Sequence, residues 1–231
     1  MAALLLNPIE TIERRVLVAV ELFDPVAQTI VHRGMDVTAS GLDSRPILSA
    51  SGRFVWIAKP GSQDWPTRFD VDVASTPYLP ASQPGPARPA DIANASAAQR
   101  LTRIVLAPRP SYLFPEGVTV ISGTMRETVD EGAAAVVGAE VALSWQPDSH
   151  PAQLGQPIKS PLVTTTDAVG EFALVLIPTT SPKPLLDTAG RIAIHIQVTR
   201  GGTTRSEPQT RLVPEARRTD LWPPLAWTDL T

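Results

Sequence analysis

Three histidines, His32, His150 and His195, are the first side chains to weigh as metal ligands or general bases. They stand far apart in the chain and none has the H-x-x-x-H spacing that puts two ligands on one helical face. His195 falls on the polar side of an alternating segment, His150 lies in a proline-flanked loop (PDSHPA), and His32 sits beside Arg33 before a glycine turn. A serine nucleophile needs a base and a strained elbow, and the chain has no G-x-S-x-G. No G-x-x-x-x-G-K-[ST] or G-x-G-x-x-G cradle for phosphates occurs, and Gly201-Gly202 reads as a hairpin turn between QVTR and TTR. The chain has no cysteine, so thiol nucleophiles, disulfides and cysteine-type zinc sites are excluded together.

Paired carboxylates are the next possibility, because two acids close together can hold calcium or divide acid and base roles. Asp70 and Asp72 alternate along RFDVDV, which places both on the wet side of a strand. Glu127, Asp130 and Glu131 crowd a polar turn, and Asp167 in TDAVG suits an Asx turn that bonds its own backbone. An internal Lys–Asn isopeptide bond needs a lysine on a buried strand. Lys59, Lys159 and Lys183 fall instead in KP, KS and KP contexts that read as loops. The expectation is a protein that is not an enzyme, with no catalytic residues, no cofactor and no metal.

The five tryptophans carry more information. Trp56 and Trp145 lie within apolar strands and are expected in cores. Trp65, Trp222 and Trp227 lie beside prolines or acids in loop and tail sequence, where exposed rings can dock on a partner protein or stack on a sugar. They are the candidate partner-binding residues. The competing reading is that DLWPPLAWTDL folds back over its own domain.

The segments that must position these residues look β throughout. Prolines number 24 in 231 residues, about twice the usual share of ~5%. Such a surplus suits the sharp connections of an all-β protein. A length of 231 residues fits two domains of roughly 100 residues each. The net charge of −3, with no Lys or Arg run beyond two residues, offers little counterion release and speaks against nucleic acid. The apolar stretch Ala2–Leu6 is shorter than a signal-peptide core and has no basic flank, and no segment nears the ~20 apolar residues of a membrane helix. Cytoplasmic residence without membrane insertion, possible within an assembled particle, is the expectation.

Two stretches follow one script. Gly34-Met35-Asp36-Val37-Thr38-Ala39, then Ser51-Gly52-Arg53-Phe54-Val55-Trp56-Ile57, then Arg68 to Val73 form the first copy. Gly138-Ala139-Glu140-Val141-Ala142-Leu143, then Val169-Gly170-Glu171-Phe172-Ala173-Leu174-Val175, then Arg191 to Ile196 form the second. Each reads as a glycine turn into a strand, a second turn of the form x-Gly-charged-Phe into an apolar strand, and a third, alternating strand. Gly52 and Gly170 allow a positive φ where the chain reverses. The alternation in RIAIHIQV puts Ile192, Ile194, Ile196 and Val198 on one face, as a half-solvated antiparallel sheet requires. Further strands are expected at Arg15–Phe23, Gln28–His32 and Leu101–Ala107, with a helical turn near Asn7-Pro8-Ile9-Glu10 and another in ASAAQ.

The fold class that follows is all-β, with two antiparallel Ig-like or transthyretin-like β-sandwich domains in tandem, joined by a Pro-rich connector. The divisions are an N-terminal arm at 1–14, a first domain at 15–110 and a second at 111–231 with a C-terminal tail. Residues 77–98, rich in Pro and Ala, read as a connector or a surface loop.

The second copy resembles the carboxypeptidase regulatory-like (transthyretin-like) module, which pairs a PVxGAxVxL segment with a later TDxxGxFxL. Val137-Gly138-Ala139-Glu140-Val141-Ala142-Leu143 and Thr166-Asp167-Ala168-Val169-Gly170-Glu171-Phe172-Ala173-Leu174 match it, with Val136 where proline is common. The first copy matches loosely and lacks the acid before its turn. The resemblance implies a non-catalytic appendage. The double module, the proline-rich stretch and the tail also resemble accessory proteins of phage-tail-like contractile injection particles. The function expected is a structural or adaptor subunit of a multiprotein assembly, whose partners are other subunits or copies of itself. A carbohydrate-binding or surface-adhesion module is the alternative.

Overall fold

Glycine-led turns and alternating apolar side chains set up a run of short strands. The computed structural model describes residues 15–42, 44–58, 65, 68–92, 94–148, 157–176 and 183–231. The helical turn expected at Asn7–Glu10 lies outside them, as do His150 and Lys59. By backbone proximity the chain divides into two units. The first holds residues up to Phe23, Ile30–Ala74 and Pro80–Ile104; the second holds Asp24–Thr29, Ser75–Leu79 and Val105–Thr231.

The first unit is built from β1 (Val16–Asp24), β2 (Thr29–Ile30), β3 (Asp36–Ala39), β4 (Ile47–Leu48), β5 (Phe54–Ile57), β6 (Asp70–Ala74), β7 (Ala81–Pro84), the short helix α1 (Ala97–Arg100) and β8 (Leu101–Val105). One sheet runs β2-β1-β5-β4 with β8 also on β1, and a second runs β3-β6-β7. Val18, Val20 and Leu22 alternate along β1 and are fully buried, as are Trp56 and Val71, with Val37, Phe54 and Val73 nearly so. Trp56 Nε1 donates to the Ser44 carbonyl at 2.9 Å, so the indole leaves no orphan donor. The helical turn expected in ASAAQ is α1. Ser96 caps it, its hydroxyl accepting from the Gln99 N–H while Gln99 Oε1 accepts from the Ser96 N–H.

The chain passes from the second unit to the first within the proline-rich stretch, between Leu79 and Pro80, and part of the stretch is strand. Its residues Ala81–Pro84 form β7, which pairs with β6 from Asp70↔Pro84 to Val73↔Ala81. Proline is tolerated there because β7 is an edge strand.

The second unit contains β9 (Thr119–Arg126), β10 (Glu140–Trp145), β11 (Ile158–Lys159), β12 (Thr164–Thr165), β13 (Glu171–Leu176), β14 (Arg191–Arg200), β15 (Thr203–Ser206), β16 (Arg211–Pro214), β17 (Arg218–Asp220) and β18 (Leu225–Ala226). The ladder between β10 and β14 sets Val141 against Val198, Leu143 against Ile196 and Trp145 against Ile194. All six are buried. They face Ile121 and Met125 of β9 and Phe172 and Leu174 of β13 across one core. Each such side chain taken from water contributes about 2 kcal/mol before entropy is counted.

The two units are wired alike. In the first, β1 pairs β5 while β3, β6 and β7 pair in order; in the second, β9 pairs β13 while β10, β14 and β15 pair in order, all antiparallel. They differ where β4 pairs β5 but β12 pairs β10. The shared turn is also physical. Asp167 Oδ1 accepts from the Val169 and Glu171 N–H groups at 2.9 Å, and the Gly170 N–H reaches the Asp167 carbonyl at 3.0 Å. Asp187 repeats this geometry with Gly190 and Arg191. In the first unit Ser49 does the work of the missing acid, its hydroxyl accepting from Arg53 N–H at 3.1 Å while Gly52 N–H reaches its carbonyl.

These turns yield a graded test. Gly52, Gly170 and Gly190 have φ of 77°, 80° and 70°. A Cβ at Gly170 would lie 2.5 Å from the Met125 carbonyl oxygen, whereas at Gly190 nothing lies within 4 Å. Gly190→Ala should cost about 1 kcal/mol from backbone strain alone. Gly170→Ala should cost about 3 kcal/mol, because a backbone atom of β9 must also move. Urea unfolding of the two variants measures the difference.

Candidate partner-docking surface

The tail after β16 is strand and staple in turn. Strand β17 pairs parallel with β9 over Val120–Ser122, and β18 continues parallel over Met125–Arg126. Leu221, Leu225 and Leu230 enter the second unit's core. Thr231 then exchanges two backbone hydrogen bonds with Ser206, at 2.7 and 3.0 Å. The tail therefore folds back over its own unit, the competing reading of its sequence.

The three candidate tryptophans have different surroundings. Trp65 is only 4% exposed and is a core residue, so it cannot dock a partner. Trp227 is half-buried against the core. Arg205 lies 4.6 Å and Arg200 5.9 Å from its ring centroid, and Arg205 Nη1 donates to its carbonyl at 2.9 Å. Its ring already has cation partners and is spoken for. Trp222 alone is presented, at 82% exposure, while its neighbours Leu221 and Leu225 are buried. The peptide bond from Trp222 to Pro223 is cis.

Pro223 and Pro224 line a groove of about 420 Å3, together with Pro208, Val129, Glu207 and Asp229. Val129 is itself exposed. Arg211 holds Glu207 Oε1 through Nε at 2.7 Å and Nη2 at 2.6 Å. The groove that the two prolines after Trp222 help to line is thus mostly proline and aliphatic, with acids at its side. Such a surface suits burial of a partner's apolar and polar side chains together.

The other sequence candidates do not converge. Asp72 is exposed and Asp70 half-buried on the outer face of β6. Glu127 is bound to Arg200 at 2.7 and 2.8 Å, a hydrogen bond and charge that lower its pKa. Among the described residues the hydrogen-bond partner of the His195 ring is Thr210 Oγ1, at 3.4 Å, and His32 lies under the Gly52 turn. Among the described residues no three His, Cys, Asp or Glu side chains come together in a way that could hold a metal ion. None of their helices is long and apolar enough to cross a membrane.

Two buried acids with specific partners were not anticipated from the sequence. Glu21 lies in the first unit between Arg53 and Arg103, and Asp24 lies in the second beneath Tyr78 and Tyr112. Each is an acid set into the apolar run VLVAVELFD, and that placement is the one local signal that could have found them.

No family model matches the chain, and no curated protein matches it. Among solved structures, a streptococcal ancillary pilin is similar over 89% of this chain and 62% of that one, with 11% identity and a TM-score of 0.22. The chain therefore spans less than two thirds of that pilin, and a likeness so loose carries no argument about fold or function.

Proposed function

We propose that this protein is a non-catalytic structural or adaptor subunit that holds partner proteins in a larger assembly. The observation that carries this reading is Trp222, which stands 82% exposed although Leu221 before it and Leu225 after it are buried, and which is followed in the chain by two prolines that line a groove. Large amphipathic rings such as tryptophan are over-represented among the anchors of protein interfaces. On this reading the second unit is a carboxypeptidase regulatory-like (transthyretin-like) module, supported by the Asp167 turn and the strand order around it. A phage-tail-like contractile injection particle is the assembly we favour, and it rests on the sequence resemblance alone. The same exposed ring also favours a second reading, stacking on a sugar in a carbohydrate-binding or adhesion module.

The test is a Trp222→Ala variant. Folding stability should stay within about 0.5 kcal/mol of wild type, because the ring is exposed. Sedimentation of lysate from the source cell should show wild-type protein in a large particle and the variant released from it. Loss of a central anchor weakens binding by about 2 kcal/mol or more, close to thirtyfold in Kd. If the wild type sediments as a free monomer, the adaptor reading fails. Glycan binding that disappears in the variant would replace it with the sugar reading.

A further inference from the structure

Strand β9 has a second groove at its other end. About 640 Å3 lies between residues 112–118 and the turn at 216–218. Leu113, on its rim, is 92% exposed, the most exposed large apolar side chain described.

Both walls are held firmly. On one side the Tyr112 hydroxyl donates to Asp24 Oδ2 at 2.5 Å, and the Tyr112 ring packs at a 59° tilt against Phe114, with centroids 4.9 Å apart. On the other, Ala216 has φ of 57°, a left-handed conformation that costs a residue with a Cβ about 1 kcal/mol or more. It persists because the Ala216 N–H donates to Thr119 Oγ1 at 2.8 Å and the Val120 N–H to the Arg217 carbonyl at 3.0 Å. Strain held in this way often marks a functional segment. Here it projects Arg217, which is exposed and has no ion pair or side-chain hydrogen bond among the described residues. The neighbouring Arg218 is engaged instead, its Nε donating to Ser122 Oγ at 3.1 Å and Asp220 Oδ1 at 3.2 Å.

We propose that this groove is a second docking site, and that it takes an extended protein segment carrying one carboxylate next to an apolar side chain. The carboxylate pairs with Arg217, and the apolar group covers Leu113 and the Phe114 wall. Glu116 lines the same groove and Asp220 sits beside Arg218, so a polyanion such as nucleic acid is turned away while a single acid is accepted. In the ladders with β9, Arg218 stands opposite Val120 and Leu225 opposite Met125. The two grooves are therefore set about 17 Å apart along one strand. A subunit with docking sites at both ends of a strand can bridge two neighbours.

Panning a library of displayed random peptides on the full chain tests this. Enriched peptides should place Asp or Glu within two positions of Leu, Ile, Phe or Trp. Their Kd should rise about tenfold or more in both Arg217→Glu and Leu113→Asp, and stay unchanged in Trp222→Ala. Both substitutions are at exposed positions, and unchanged melting temperatures would confirm intact folding. Enrichment of basic peptides, no enrichment, or affinities indifferent to both substitutions would overturn the proposal. Peptides lost on Trp222→Ala alone would overturn it too, while leaving the Trp222 reading in place.

Discussion

Replacing Asp24 with alanine is expected to cost the second unit about 4 kcal/mol, through two buried and two part-buried donors left unpaired at once. Asp24 is 2% exposed and all its acceptor capacity is in use. Oδ1 takes the N–H groups of Val26 and Ala27 at 2.7 and 3.0 Å, and Oδ2 takes the hydroxyls of Tyr78 and Tyr112 at 2.7 and 2.5 Å. Burial, reinforced by the hydrogen bond and charge of Asp24, pushes the Tyr112 hydroxyl up to about 12 and that of Tyr78 higher still. Both phenols therefore remain donors across the ordinary pH range. Repeating Asp24→Ala in a Tyr78→Phe/Tyr112→Phe background should cost less than half as much, because the orphaned hydroxyls are gone. Equal costs in the two backgrounds would show that the cluster does not act as a unit. Urea unfolding, with amide exchange read along β9 and β13, measures both.

Glu21→Gln is expected to remove about 2 kcal/mol from the first unit, because the carboxylate is buried but the two guanidinium groups that lose their charge partner are about a third and more than half exposed. Glu21 is 1% exposed. Arg53 reaches Oε2 through Nε at 2.9 Å and Nη2 at 2.6 Å, and Arg103 reaches Oε1 at 2.7 and 2.6 Å. Burial alone would raise the carboxyl's pKa. The hydrogen bonds and charges of Arg103 and Arg53 outweigh it and hold the pKa below the ordinary 4.5. A depressed carboxyl stabilises the fold at pH values above its unfolded pKa, and that contribution is lost as pH falls through the folded one. The gap in stability between wild type and Glu21→Gln should thus be constant from pH 7 to about pH 5 and close below about pH 4.5. A gap that widened on acidification would contradict the ion-pair account.

What could be read from the sequence was local. The alternation in RIAIHIQV gave β14 its buried face, the positive φ of Gly52 and Gly170 was implied by their turns, and Trp56 and Trp145 lie in cores as their strands suggested. Residues whose fate depends on distant partners were not legible. Asp24 meets Tyr78 and Tyr112 from 54 and 88 positions away, and Glu21 meets Arg53 and Arg103 from 32 and 82. Trp65 reads as loop beside Asp64 and Pro66 but is buried, and Trp227 is covered by arginines from the β14–β15 hairpin. The division near residue 110 followed the repeat, whereas the second unit also takes in 24–29 and 75–79, tied to it by the Tyr112–Asp24 bond and by backbone bonds of Pro77 and Leu79 with Arg109 and Ala107. Ser49 standing in for an acid was hidden because a hydroxyl and a carboxylate can accept the same backbone N–H.

The adaptor account turns on whether Trp222 meets another protein in the cell. Site-specific photo-cross-linking from position 222 asks this directly, with a probe at exposed Ile47 as control. The account predicts a discrete protein adduct from 222 and none from 47. Irradiation that yields only uncross-linked chain from position 222, while the folded protein is intact, would contradict it.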